Sequence, residues 1–302
     1  MINKTQGAKK LAYQWPRSPQ YSQSPVWTGH GFQVGDTNIP VLAYEVGVSG
    51  WTDELTDFHE DTADSNHFID VASRRHAVEQ LQKYLPQSQV NILEVGCSSG
   101  FMLKAIRQAI PQAFVIGSDY VRQPLENLAA QIPDIPLLQF NLLECPLPDA
   151  SVDAVVLLNV LEHIKDDTAA LRQLYRILKP GGIVVLEVPA GAGLYDVYDK
   201  LLMHFRRYSL PQITNLVQDT GFSVLEKSHL GAFIYPPFWL VKHRNKRFLS
   251  EAEAVQKQIV AKNITSTGQN PLLKLAMMLE LKLGKVLSYP FGVRCLLTAR
   301  KE

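Results

Sequence analysis

The chain has 302 residues, 46% of them hydrophobic and 20% charged, which suffices for a full core in one large domain or two small ones and offers no run long enough to span a bilayer. A net charge of +1 gives no chain-wide field for a polyanion, so nucleic acid is not expected as a partner. Three scattered cysteines, Cys97, Cys145 and Cys295, lack metal-ligand spacing and argue against a structural zinc or a disulfide framework, and with no signal-peptide-like start the expected location is the cytoplasm.

Residues 1–70 read as an N-terminal extension and flap. Tyr13, Trp15, Tyr21 and Trp27 alternate with Pro16, Pro19 and Pro25, a pattern for an extended arm. An acidic stretch follows, with Asp53, Glu54, Asp57, Glu60, Asp61 and Asp64. The spacing of His59, Glu60 and His67 fits no common metal motif, so a solvated face is the expectation there. A helix is expected from about Val71 to Leu85, stopped by Pro86.

Val90, Ile92, Leu93 and Val95 then fit a buried parallel strand, closing on Glu94 and breaking into Gly96-Cys97-Ser98-Ser99-Gly100 before an apolar-periodic helix from Phe101 to Ala109. Such a turn lets a ligand approach the backbone, with unpaired amides expected at the start of the helix. Strand and helix signals keep alternating. Strands are expected at Ala113–Gly117, Leu137–Phe140, Val152–Leu158 and Ile183–Val188, with helices from near Pro124 and over Thr168–Leu178. Ser209 and Gln212 make a capping box for a helix ending at Gly221, and Phe222–Leu230 and Val293–Ala299 supply the last two strands. Repeated βα units imply an α/β, doubly wound, Rossmann-like sheet.

Glu94, Gly96 and Gly100 resemble motif I of the class I S-adenosylmethionine-dependent methyltransferases, with Ser98 where many members carry a middle glycine. Leu158-Asn159-Val160-Leu161-Glu162-His163-Ile164 resembles motif IV of the ubiquinone-type, small-molecule enzymes, and Leu178-Lys179-Pro180-Gly181-Gly182 is typical of the segment before their fifth strand. The likeness runs from Asn91 to Arg300, and extends over Val188-Pro189-Ala190, Asp199 and His204 to Ser209 to a bacterial subgroup with a helical stretch before the last strand. It implies a seven-stranded methyltransferase domain over 71–302 with a helical insertion at about 236–289. The implied cofactor is S-adenosyl-L-methionine, held by Glu94, Gly96, Cys97, Ser98, Gly100, Asp119, Tyr120, Asn141, Leu142 and Asn159. Asp119, ending the second strand about twenty residues past the glycine turn, suits the two ribose hydroxyls.

Methyl transfer is an in-line displacement, so holding the acceptor is the main task, and a general base adds less. His163 and His204 are the candidate bases, each with a satisfied structural histidine as the alternative. Glu162, Arg206, Arg207 and Tyr208 are the candidate acceptor contacts, although the arginines could equally pair with Asp196 or Asp199. Similar enzymes that use a divalent ion carry Glu-x-x-Glu-His where this chain has Asn159-x-x-Glu162-His163. With one carboxylate missing, metal-independent activity is expected.

The expected reaction is O- or N-methylation of a small-molecule or lipid-linked acceptor. An NAD-dependent oxidoreductase would instead show Gly-x-Gly-x-x-Gly, and a non-catalytic SAM-fold binding subunit would be expected to lose the strand-end polar residues kept here. Basic and apolar residues mix at 238–249 and 271–287, where Lys274, Lys282 and Lys285 form a narrow stripe on a helix. That pattern admits peripheral attachment at the inner membrane face and an amphipathic acceptor, against the alternative that both segments simply pack on the sheet.

Overall fold

The structure, a computed structural model, describes residues 15–45, 67–268 and 270–302. The acidic stretch with His59 and Glu60 lies outside the described residues.

The described chain opens with a small antiparallel sheet of β1 (Val26–Trp27), β2 (Phe32–Val34) and β3 (Thr37–Ile39). The central sheet follows, made of β4 (Val41–Ala43), β5 (Asn91–Val95), β6 (Phe114–Asp119), β7 (Leu137–Gln139), β8 (Val152–Leu158), β9 (Leu178–Pro189), β10 (Phe222–Leu230) and β11 (Arg294–Lys301). Its spatial order is β10-β11-β9-β8-β5-β6-β7-β4. From β9 across to β4 all pairings are parallel, and β11 runs antiparallel to both neighbours. The sheet therefore has eight strands where seven were expected. The extra one comes from the N-terminal extension, which is more than a plain extended arm: Val41, Leu42 and Ala43 are all buried against β7.

Both faces are covered, which is why β5 is buried at every position and reads as an unbroken apolar run but for Asn91 and Glu94. One face carries α1 (Phe68–Tyr84), α2 (Phe101–Ala109) and α3 (Arg122–Gln131), whose Leu81, Leu103, Ile106 and Leu125 meet Ile92, Val115 and Val156. Each such fully buried side chain contributes about 1.5–3 kcal/mol. The opposite face carries α4 (Asp167–Ile177) and α6 (Leu210–Asp219), together with Trp15 and Phe32 from the extension. Phe32 takes Trp15 and Trp27 edge-on at centroid distances of 5.1 and 4.9 Å, which anchors the small sheet. The helix before β9 ends at Ile177, and Lys179–Gly182 already belongs to the strand, earlier than the glycines suggest.

Between β9 and α6 lies the short helix α5 (Val197–Leu201), and between β10 and β11 come α7 (Tyr235–Asn245), α8 (Glu253–Gly268) and α9 (Pro271–Leu283). These helices are tied to the sheet. Met277 packs with Phe68, Leu230 and Val293, and Val260 with Val197 and Leu201. The Glu280 carboxylate accepts from the Gly231 and Phe233 amides at 2.6 and 2.9 Å, pinning α9 to the end of β10. The expected basic cluster at 238–249 is broken up by this packing. Lys242 is buried, its Nζ 2.7 Å from Asp196 Oδ1 and 2.9 Å from Asp199 Oδ2.

Candidate functional site

From β5 the chain winds to β6 and β7 on one side and then returns through β8 to β9 on the other, so the order reverses between β5 and β8. Ligands of open α/β sheets sit outside the carboxyl ends of the strands at that reversal. Glu94, Asp119, Asn141 and Asn159 all stand there, near the ends of β5, β6, β7 and β8.

The glycine turn is shaped by sterics. Gly96 and Gly100 have φ of +77° and +72°, and a Cβ on either would come within 2.4 Å of Val160 Cγ2 or 2.5 Å of Leu128 Cδ1. Ser98 also has positive φ, +38°, at the position where many similar enzymes carry glycine. The turn's amides are less available than the sequence suggested. Gly96 and Cys97 donate to the Ser118 carbonyl at 2.8 and 2.9 Å, and Ser98 donates to Asp119 Oδ2 at 3.0 Å. Asp119 Oδ1 accepts from Val121 at 3.0 Å, so this carboxylate holds both sides of the cleft mouth.

Glu94 is buried, and its Oε2 meets no hydrogen-bond partner among the described residues. Burial, reinforced by the nearby Asp119 charge, pushes its carboxyl well above the ordinary value, against a backbone hydrogen bond from Leu103 and the Arg74 charge. A buried carboxyl oxygen without a partner among the described residues, two residues before Gly96, fits a cationic or hydrogen-bond-donating ligand. The Cys97 thiol is buried and pushed up by that burial, so it fills the core while its backbone borders the turn. Asn141 caps the following turn by accepting from Leu143 at 3.0 Å, Leu142 is buried, and Tyr120 is half-buried. Sequence reasoning missed Glu45, which ends the β4 segment and accepts from the Asn141 amide at 3.2 Å. Only the pairing of β4 with β7 brings it there. Asn159, at φ +55°, donates to Glu187 Oε1 at 3.0 Å, and Glu187 in turn takes Arg294 at 2.7 Å.

On the other side of the cleft, one helical turn after β8 carries Glu162 and His163, and the crossover after α5 brings in His204. The two segments are joined by the Phe205 amide, which donates to the Glu162 carbonyl at 2.8 Å. The imidazoles of His163 and His204 meet edge to face at 4.6 Å between centroids. His204 Nδ1 lies 2.8 Å from Asp199 Oδ1. Burial favours the neutral imidazole, and burial would likewise raise Asp199, but hydrogen bonding from His204 and the Lys242 and Arg207 charges hold that carboxyl well below its usual range. An ionised Asp199 favours the His204 tautomer that carries its proton on Nδ1 and leaves Nε2 as the acceptor nitrogen. Glu162 is fully buried with both carboxylate oxygens unpartnered among the described residues, and burial pushes it up to about 8.

The remaining acceptor candidates have partners within the chain. Arg207 is buried and donates to Asp199 at 2.8 Å and to the Ala190 carbonyl at 2.9 Å, the pairing that stood as its alternative. Arg206 and the Tyr208 hydroxyl both bind Asp167 at the start of α4. All three side chains thus bind internal carboxylates, and Lys242 and His204 share Asp199 with Arg207. The Asp196-x-x-Asp199 capping box, present in the structure, was the legible sign that this segment is organised by its own acids.

Residues 93–186, the core of this sheet and both sides of its switch point, match the family described as "Methyltransferase domain". A probable S-adenosylmethionine-dependent methyltransferase of Mycolicibacterium smegmatis is 32% identical over 162 residues, 53% of this chain and 62% of that one. A demethylmenaquinone methyltransferase of Deinococcus radiodurans is 30% identical over 175 residues, 56% of this chain and 66% of its own. The chain thus spans less than two thirds of the length of the curated relatives described here. Among solved structures, the YcgJ protein of Bacillus subtilis superposes with a TM-score of 0.51 at 16% identity, covering 76% of this chain and 99% of that one, a likeness of fold. The reversal between β5 and β8, the glycine turn between two strand-end carboxylates and these relatives converge on a class I S-adenosylmethionine-dependent methyltransferase domain over residues 93–186.

Proposed function

We propose that this protein transfers the methyl group of S-adenosylmethionine to the oxygen or nitrogen of a small, amphipathic acceptor. The observation that carries this reading is the pair of strand-end acids, Glu94 with an orphaned oxygen and Asp119 across the mouth, flanking a turn that has no room for a Cβ at Gly96 or Gly100. Glu94 would take the cationic methionine end, Asp119 the ribose hydroxyls, and Tyr120, Asn141 and Leu142 the adenine. The cofactor supplies an electrophilic methyl on a sulfonium. The residues hold the acceptor in line with it, exclude water, and remove the acceptor's proton at the Glu162–His163–His204 side of the cleft. Support for an amphipathic acceptor comes from the quinone methyltransferase among the relatives and from the outer face of α9, where Leu272, Leu275, Leu279 and Leu283 are exposed. No helix among the described residues is long and apolar enough to cross a membrane, so any such contact would be peripheral.

Calorimetric titration with S-adenosylmethionine tests the cofactor, and incubation of cell extract with the labelled cofactor identifies the acceptor by its product. Asp119→Ala should weaken cofactor binding by at least about 10-fold and also lower the melting temperature, since it removes acceptors for two backbone amides, a structural cost invisible in sequence. Unchanged affinity would take Asp119 out of the site.

A further inference from the structure

We propose that Glu162, His163 and His204 form a binding site for one divalent transition-metal ion beside the cofactor cleft. One ligand atom from each of the three lies within 4.8 Å of the other two. Ligands around a tetrahedral ion at about 2.0–2.2 Å stand about 3.4 Å apart, so modest side-chain rotations close the set. Sequence reasoning set metal aside because Asn159 replaces a carboxylate, and in the structure the Asn159 Nδ2 donates to Glu187 Oε1. What that reasoning did not count is His204, delivered from a distant crossover as a third donor.

Two independent observations point to a cation. The Glu162 carboxylate is fully buried, and both of its oxygens lack a partner among the described residues, a placement that is costly unless something satisfies it. His204 has the arrangement of a metal ligand held from behind. Its Nδ1 is bonded to Asp199, itself fixed by Arg207 and Lys242, which orients the ring and presents Nε2. The half-buried His163 leaves an approach from solvent.

The donor set selects the ion. Two imidazoles and one carboxylate suit zinc, cobalt, manganese or iron in the divalent state, whereas magnesium demands more oxygen ligands. Three protein ligands also leave coordination positions open. If the methyltransferase reading holds, on which this consequence alone rests, a hydroxyl of the acceptor bound at an open position would lose its proton more easily, with no free imidazole needed as base.

The test uses the full chain freed of metal by chelator dialysis and titrated with Co²⁺, followed by visible absorption, with Zn²⁺ and Mg²⁺ as competitors. The expectation is one equivalent of Co²⁺ with a ligand-field spectrum, displaced by Zn²⁺ and not by comparable Mg²⁺. Glu162→Gln and His204→Ala should each weaken binding by more than about 100-fold. Glu162→Gln keeps the shape of a protonated acid, so its metal-free melting temperature should stay at or above that of the unsubstituted chain, separating lost ligation from lost fold. Absence of saturable Co²⁺ or Zn²⁺ binding, or a Glu162→Gln variant that binds as tightly, overturns the site. S-adenosylhomocysteine titrated into the metal-free protein checks the cofactor reading separately: nucleoside binding without a cobalt spectrum removes the metal alone, and a cobalt spectrum without nucleoside binding removes the methyltransferase reading alone.

Discussion

Ser98 shows how one residue records a departure from its family. It occupies the left-handed region at φ +38°, where a side chain costs about 1–2 kcal/mol relative to glycine, and its amide is held there by Asp119. Ser98→Gly should therefore stabilise the fold, by about 0.5–1 kcal/mol once the greater freedom of glycine in the unfolded chain is subtracted. Urea unfolding of the two forms measures this directly. Glu94 links the stability of the fold to pH. Its native pKa is raised, so between the ordinary carboxyl value and that raised one the native state holds a proton that the unfolded chain has released. Stability from this group is complete below the unfolded pKa and is lost as pH rises through the native one. Unfolding free energy measured at rising pH should fall less steeply in Glu94→Gln than in the unsubstituted chain. A ligand with a cationic group beside Glu94 favours the anion, so cofactor binding should release a proton, seen as a buffer-dependent heat.

The crossover from β9 to α6 is the element on which the acceptor side depends. It is held by internal acids: Asp199 takes His204, Arg207 and Lys242, while Asp196 takes Lys242 and Asn245. Arg207→Met would leave Asp199 short of a partner and free the carbonyls of Ala190 and Val293, a change expected to cost about 3–5 kcal/mol because a buried charge loses its counterpart. Denaturant midpoints should drop accordingly with little change in slope. An effect within about 1 kcal/mol would mean the pair is solvated and contributes as a surface bridge does.

Across the whole molecule, the helices between β10 and β11 turn one face to the core and leave another bare. Met277 and Glu280 of α9 point inward, whereas Leu272, Leu275, Leu279, Leu283 and the following Val286 are between 43% and 82% exposed, with Lys282 and Lys285 at the same end. If this stripe meets an anionic bilayer, the chain should sediment with vesicles rich in acidic lipid at low salt and less so at high salt. Leu275→Glu together with Leu279→Glu should abolish that sedimentation and leave the melting temperature within about 1 kcal/mol of equivalent stability, since neither side chain is buried. Vesicle binding indifferent to lipid charge, or none, would leave an acceptor taken from solution.

Much was legible in the order of residues. Val90 to Gly100 announced strand, turn and helix because an unbroken apolar run, a glycine pair and a helical period are local constraints, satisfied within a dozen residues whatever the rest of the chain does. The same locality made β8, α2 and the Ser209–Gln212 cap readable and put Glu94 and Asp119 at strand ends. The edge strand Val41–Ala43 was not readable, because three residues carry no period and become a strand only by pairing with β7. Nor could sequence say that Arg207 and Lys242 turn inward, or that His204 joins Glu162 and His163. Burying a charge is favourable only when its counter-charge arrives from elsewhere in the chain, and a ligand set exists only when separate loops deliver their donors to one point, so both were decided by the tertiary fold.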